Sequence, residues 1–257
     1  MPELPEVETL CRQLQALIAG KNILGSIVYD NKLSGVGNIG GRKIEEVRRD
    51  GKSIALKLDD ERYIKVHLRM TGRLLWRPCR EREPHTRWRI SLEDGNIDLV
   101  DPRRFATVGI EDELAGSPEK DLFMCFNEKE FLRRQTVRRI SVKIVLMDQR
   151  AIAGIGNIYA CEILHSAGIS PLRQVATMSL GEWKRVFRYG RRILKSGIRR
   201  RGTSISDWRD LYGCPGEYQQ ELRVYGREGK ACCTCGASVA RIRQGGRSTF
   251  YCPECQK

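Results

Sequence analysis

Two Cys-x2-Cys pairs, Cys232/Cys235 and Cys252/Cys255, stand sixteen residues apart. Each pair can bring two thiolates to one metal from a tight turn. Four sulfurs then complete a tetrahedron, for which zinc is the natural occupant. The chain between the pairs includes Arg241–Tyr251 with Gly245-Gly246 at its middle, and reads as a two-stranded hairpin. A unit this small has no core of its own, so the metal supplies much of its folding free energy, on the order of 10 kcal/mol. Cys233, adjacent to a ligand, is read as a non-ligand. The other five cysteines (Cys11, Cys79, Cys125, Cys161 and Cys214) are scattered. Isolated thiols with one tight cluster suit a reducing compartment and a metal site, not a disulfide framework.

Charge is placed unevenly. Residues 1–112 hold 20 Lys/Arg against 18 Asp/Glu, whereas residues 113–257 hold 26 against 14. A strongly basic second half implies a grip on a polyanion; DNA, RNA and an anionic membrane all satisfy it. No apolar run approaches the ~20 residues needed to cross a bilayer. The opening MPELPEVETL has three glutamates ahead of the first basic residue, Arg12, unlike a secretory signal or a transit peptide. A cytoplasmic location is therefore expected, with no membrane partner and, since nothing implies an obligate oligomer, a monomer.

Periodicity divides the chain. Leu4, Val7, Leu10, Cys11, Leu14, Leu17 and Ile18 follow helical spacing, with Pro5 near the start and Gly20 at the stop. Residues 22 to about 112 read as β-structure. Ile64, Val66 and Leu68 alternate with polar residues. So do Trp88, Ile90 and Leu92, up to the turn signal Glu93-Asp94-Gly95-Asn96. Short strands with Gly-rich turns suit a sandwich or a barrel; Ser34–Gly41 reads as a loop and residues 113–120 as a linker. Helical patterns follow around Phe131–Asp148, over Gly156–Ala167, and from the Ser179/Glu182 capping box through Trp183, Phe187 and Leu194. Lys184, Arg188, Arg191, Lys195 and Arg199 form a basic stripe on that last helix, and Arg241, Arg243 and Arg247 charge the metal hairpin. Between two helices, Ala153-Gly154-Ile155-Gly156-Asn157 can present helix N–H groups to a phosphate, with Asn157 expected to cap and to contact at once.

Six motifs, in order, carry a resemblance that covers the whole chain: MPELPEVET at the N-terminus, GKS at Gly51–Ser53, HLRMTGR at His67–Arg73, DPRRF at Asp101–Phe105, AGIGNIYACE at Ala153–Glu162 and GRSTFYCPECQK at Gly246–Lys257. Together they resemble the bacterial formamidopyrimidine-DNA glycosylases, which share a helix-two-turn-helix superfamily with the endonuclease VIII type. The resemblance implies a multidomain α+β fold. A catalytic β-sandwich with an N-terminal helix spans 1–112, a helix-two-turn-helix domain 121–223 and a zinc finger 224–257. It implies a base-excision-repair DNA glycosylase with AP lyase activity, acting on 8-oxoguanine and formamidopyrimidines in double-stranded DNA. The alternatives are an endonuclease VIII-like enzyme for oxidised pyrimidines and a non-catalytic damaged-DNA-binding relative. Carried over by motif, Pro2, Glu3, Lys52 and Arg247 form the catalytic set. Glu6 lines the damaged-base pocket; His67, Lys143, Asn157 and Arg247 hold the DNA backbone; Met70, Arg103 and Phe105 fill the gap left by a flipped nucleotide. Zinc is implied on Cys232, Cys235, Cys252 and Cys255. The sequence departs from the family pattern at Cys161, at Ala106 and across Ser204–Gln220.

The chemistry explains the residue types. An N-terminal amine has an unperturbed pKa of ~7.7–8, against ~10.4 for lysine, so a useful fraction is neutral at cellular pH. Proline, a secondary amine, yields a cationic iminium that acidifies C2′–H and permits elimination of the flanking phosphates. Its small side chain lets Met1 be trimmed, which exposes the amine. Glu3 is adjacent to supply a proton to the sugar oxygen or the leaving base. Flipping costs a few kcal/mol of unstacking, which inserted side chains offset.

Overall fold

The computed structural model describes every residue except 34, 80, 115, 117 and 136. Ser34 of the glycine-rich loop, residues 115 and 117 of the linker, and Thr136 within the Phe131–Asp148 pattern thus lie outside the described residues. The chain divides into two compact units. The first comprises Met1–Gly116 with Ile198–Gln219, and the second Ser117–Gly197 with Gln220–Lys257.

In the first unit, α1 (Leu4–Ile18) precedes eight strands: β1 (Gly25–Val28), β2 (Ile44–Asp50), β3 (Ser53–Leu58), β4 (Tyr63–His67), β5 (Arg73–Arg77), β6 (Thr86–Leu92), β7 (Gly95–Val100) and β8 (Thr107–Glu111). They form two antiparallel sheets, ordered β1-β6-β7-β5 and β2-β3-β4-β8. The alternation read from the sequence places Leu56, Ile64 and Val66 of one sheet, and Trp88, Ile90, Ile97 and Leu99 of the other, in a single core with Val7, Leu10, Leu14 and Ile18 of α1. Two sheets with one shared core make a sandwich, which settles the sandwich-or-barrel choice. Glu93-Asp94 forms the two-residue connection that puts Leu92 opposite Gly95. Arg89 stands opposite Asp98 in the same ladder. Their bidentate ion pair (2.6 and 2.7 Å) satisfies two charges that the sheet buries.

A segment distant in sequence completes this unit. Trp208 and Leu211 belong to the same core. The Leu211 N–H donates to Gln13 Oε1 at 3.0 Å, and its carbonyl accepts the Trp76 N–H at 2.8 Å.

The second unit holds α2 (Glu128–Gln135), α3 (Val142–Met147), α4 (Asn157–Ala167), most of α5 (Leu180–Arg199) and the hairpin β9 (Ala240–Gln244) with β10 (Arg247–Tyr251). The single helical pattern expected around Phe131–Asp148 is corrected to two short helices. Residues 140–142 are drawn off by ladder-like bonds instead: the Val175 N–H donates to Ile140 O, the Val142 N–H to Arg173 O, and Ser141 bridges Gln174. Backbone groups engaged across the chain cannot also continue a helix. On α5 the capping box forms as expected, with the Ser179 N–H on Glu182 Oε2 at 2.7 Å. The apolar face buries Trp183 against Phe131, and Phe187 against Phe126 and Phe131, through edge-on ring contacts of 5.0–5.4 Å. The basic stripe, Lys184 through Arg199, is exposed. No helix among the described residues is long and apolar enough to cross a membrane.

Leu211→Ala is expected to destabilise the first unit by ~2–5 kcal/mol, the range for emptying a fully buried leucine site. Urea unfolding followed on that unit checks it; an unchanged midpoint would detach residues 198–219 from this core.

Candidate functional site

The start of α1 is held by carboxylates, not left to fray. The Glu3 N–H donates to Glu6 Oε2 at 2.7 Å, while the Glu3 side chain accepts the N–H of Glu6, a reciprocal capping box. Glu6 Oε1 accepts the Thr203 N–H at 2.6 Å. Gly202 passes so close (φ +81°) that a Cβ would meet the Glu6 carboxylate at 2.6 Å; only glycine fits there. Pro2, Glu3 and Glu6 are all buried as a result, Glu3 to 3 % and Glu6 to 2 % exposure.

Lys52, half-buried, sits in the tight connection between β2 and β3. Arg49, whose side chain is 1 % exposed, donates to Glu8 on α1 at 3.0 Å and to the Gly51 carbonyl at 3.1 Å, so the turn bearing Lys52 is fixed to the helix that follows Pro2. His67 ends β4. Burial pushes its pKa down to about 4, with the positive charges of Arg69 and Lys52 adding to the effect. Its Nδ1 accepts the Arg69 N–H at 3.0 Å, which leaves the proton of the neutral ring on Nε2.

Met70, Arg103 and Phe105 are exposed on two neighbouring loops, with the Arg103 guanidinium 4.7 Å from the Phe105 ring centre. One buried carboxylate organises both loops. Asp101 accepts the Thr71 hydroxyl at 2.5 Å, the Phe105 and Ala106 N–H groups at 2.7 Å each, and Arg87 at 3.2 Å. Arg69 and Arg104, beside Met70 and Phe105, both adopt left-handed backbone (φ +56° and +57°). That conformation costs a non-glycine residue on the order of 1–3 kcal/mol. At Arg104 a bidentate pair with Asp30, at 2.5 and 2.9 Å, holds it. Asp101 was not singled out by sequence reasoning as a site residue, although an Asp opening a Pro-Arg-Arg turn is a signal for carboxylate-to-backbone bonding.

In the second unit, Lys143 is fully buried. Its ammonium donates to Asn157 Oδ1 and to Thr249 Oγ1, both at 2.6 Å. Asn157 Nδ2 donates to the Ser248 carbonyl at 2.9 Å. The expectation that Asn157 caps its helix is corrected: Gly156 takes the N-cap, and Asn157, the first helical residue, spends its amide on Lys143 and Ser248. Gln149 secures the loop before it, accepting from the Gly154 N–H and donating to the Ile155 carbonyl. Arg241, Arg243 and Arg247 are exposed on the hairpin, whose Gly245-Gly246 turn is left-handed at both positions.

The four cysteine Sγ atoms lie within 4.8 Å of one another, with Cys232–Cys255 at 3.9 Å and Cys235–Cys252 at 3.5 Å. Zinc–sulfur bonds of ~2.3 Å in a tetrahedron require edges of about 3.8 Å. An all-thiolate set at that spacing fits one structural zinc. Cys233 is exposed and lies outside the cluster.

Models of known families match along the chain: the formamidopyrimidine-DNA glycosylase N-terminal domain over residues 1–108, the corresponding helix-two-turn-helix domain over 117–208, and a zinc finger shared with isoleucyl-tRNA synthetases over 229–257. The chain is similar to formamidopyrimidine-DNA glycosylases from Pelotomaculum thermopropionicum and Carboxydothermus hydrogenoformans. Each is 40% identical, covering 100% of this chain and 99% and 100% of the relatives. Among solved structures it resembles a Lactococcus lactis Fpg mutant complexed with DNA containing Fapy-dG (TM-score 0.90, 29% identity, 100% of both chains). It also resembles Lactococcus lactis Fpg complexed with DNA containing an abasic site (TM-score 0.89, 28% identity, 99% of each chain).

His67 binds fewer protons folded than unfolded between its ordinary value near 6.5 and about 4. Its contribution to stability is therefore present above pH 6.5 and is lost as pH falls through that window. Ring-proton NMR is expected to give a His67 midpoint near 4; a midpoint at or above 6.5 would contradict the placement beside Lys52 and Arg69.

Proposed function

The chain belongs to the formamidopyrimidine-DNA glycosylase family, and from that premise we propose how its own residues carry out the reaction. It is a base-excision-repair enzyme for damaged DNA, a glycosylase for oxidised purines with AP lyase activity in the same chain. Action as a monomer in the cytoplasm is part of the proposal.

The observation that carries this reading is the anchored N-terminus. Once Met1 is removed, Pro2 bears a secondary amine on a segment held by the Glu3/Glu6 capping box and the Thr203 N–H. A nucleophile so fixed loses little orientational freedom on reaction. The Pro2 nitrogen attacks C1′, and the glycosidic bond breaks with its electron pair leaving on the base, which takes up a proton. Glu3, adjacent to the nucleophile, is the proton donor to the sugar oxygen or the base. Ring opening with loss of the amine proton gives an iminium at C1′. The acidified C2′ proton is then lost and the 3′ phosphate departs, followed by the 5′ phosphate in a second elimination.

Lys52 supplies a positive charge to the lesion phosphate. His67, held neutral, offers its Nε2–H to a phosphate oxygen. Glu6 has both oxygens on backbone N–H groups, so its part in shaping the lesion pocket is to hold residues 202–203, where the Ser204–Gln220 segment begins. Asn157 and Arg247 grip the backbone, and Lys143 acts from beneath by holding Asn157. Bound zinc supplies no chemical step; it closes the hairpin that carries Arg247.

Met70 and Phe105 fill the vacated stack, while Arg103 directs donors at O2 and N3 of the orphaned cytosine. Excision rates on 8-oxoguanine opposite C, 8-oxoguanine opposite A and thymine glycol opposite A test this. The first is expected to be fastest, and Arg103→Ala to erase ~1–3 kcal/mol of the preference for C. Fastest removal of thymine glycol, or an unchanged preference in Arg103→Ala, would favour an endonuclease VIII-type reading.

A further inference from the structure

Among the described residues, one side chain outside the four cysteines reaches the metal site. His165, in the last turn of α4, is 5 % exposed, and its Nε2 stands 3.5 Å from Cys232 Sγ. Its Nδ1 is buried with no hydrogen-bond partner among the described residues. The surroundings are apolar: Cys161, one turn earlier on α4, packs with Val224, Val239 and Phe250 in the cluster that contains Cys232 and Cys252. An imidazole buried there costs free energy unless a polar atom is engaged, and a phenyl ring would fill similar space without that cost. The compensation lies at Nε2. A zinc-bound thiolate only accepts, and a neutral imidazole has one donor, so the contact requires the proton on Nε2.

The other N–H···S contacts come from the two metal turns themselves. The Thr234 N–H reaches Cys232 Sγ at 3.4 Å, and the Cys255 N–H reaches Cys252 Sγ at 3.4 Å. His165 differs in coming from a helix well removed in sequence. The same helix begins with Asn157, bonded to Ser248 of β10. Midway, Glu162 accepts the N–H groups of Arg223, Val224 and Tyr225, the approach to the metal segment. Helix α4 therefore grips the zinc segment along its length, and at His165 it grips the metal's own ligand.

We propose that His165 is a positioning residue of the zinc site, donating its Nε2–H to the Cys232 thiolate so that α4 helps to retain the metal. This rests on the four-cysteine zinc reading. Four thiolates on one divalent ion leave two net negative charges, and two of the sulfurs, those of Cys232 and Cys252, belong to buried residues. An N–H donor draws density from one sulfur, which slows its capture by protons, competing chelators and electrophiles. Loss of an outer partner of a metal ligand typically weakens the metal site ~10–100-fold.

The test uses the full-length zinc protein and the variants His165→Phe, which keeps the volume, and His165→Gln, which keeps an N–H donor. Zinc transfer to a colorimetric chelator is expected to be about tenfold or more faster in His165→Phe and only a few-fold faster in His165→Gln. In cobalt-substituted protein, losing the donor raises the energy of the sulfur lone pairs. The thiolate-to-cobalt charge-transfer band should then move to lower energy in His165→Phe and back towards wild type in His165→Gln. Equal release rates and band positions in wild type and His165→Phe would overturn the proposal. Equal disturbance by Phe and Gln would reduce His165 to packing and overturn it too. If His165→Phe does not fold, wild-type protein loaded with cadmium-113 decides: scalar coupling between the metal and the His165 Hε2 supports the bond, and its absence refutes it. Wild-type protein that binds no zinc would instead refute the four-cysteine reading.

Discussion

Both oxygens of the Glu6 carboxylate accept backbone N–H groups, one from Glu3 and one from Thr203. Chain termini are ordinarily the least ordered part of a fold. The Pro2 amine proposed as the nucleophile needs the opposite, and the Glu6 bridge provides it. It fixes the entry of α1, and it ties that entry to a segment about two hundred residues later that packs Trp208 and Leu211 into the same core. The sandwich supplies the rest of the frame. Arg49 links α1 to the Lys52 turn, and Asp101 collects the two loops that carry Met70, Arg103 and Phe105. Buried carboxylates thus organise this unit. Each is satisfied by several donors, the condition under which a buried charge is tolerated.

The second unit solves a different problem, because its distal element is too small to fold on hydrophobic area alone. Metal closes the hairpin, and α4 braces it through Asn157, Glu162 and His165. The basic stripe of α5 and Arg241, Arg243 and Arg247 of the hairpin stay exposed. The buried ammonium of Lys143 is spent inside, joining α3, α4 and β10.

What the sequence makes legible follows from the range of the interaction. Local periodicity marks α1, the sandwich strands and α5, and the Ser179/Glu182 cap forms where its residue types imply; the turn signal Glu93-Asp94-Gly95-Asn96 closes on Glu93-Asp94 alone, because Gly95 and Asn96 pair with Leu92 and Ser91 in the ladder. The cysteine spacing marks the metal site, since four thiolates within a short span have few other arrangements. Long-range pairing is not legible. The split of Phe131–Asp148 depends on bonds from Ile140 and Val142 to residues 173–175. Leu211 and Trp208 look like isolated apolar residues in a polar loop until Gln13 and Trp76 meet them. Lys143 lies in Val-Lys-Ile-Val-Leu-Met, where nothing local shows that its ammonium is enclosed. His165 reads as one more residue in an apolar helix, and only the fold brings Cys232 to it.

The central claim is that the Pro2 nitrogen is the nucleophile. The direct measurement is borohydride reduction of the enzyme on duplex DNA bearing 8-oxoguanine opposite cytosine, followed by proteolysis and mass spectrometry of the cross-linked peptide. The account predicts one covalent adduct, on the nitrogen of a peptide that begins with Pro2. It also predicts none when Met1 is retained or the terminus is acetylated. An adduct on Lys52 or any other side chain, or trapping undiminished by a blocked N-terminus, would contradict it.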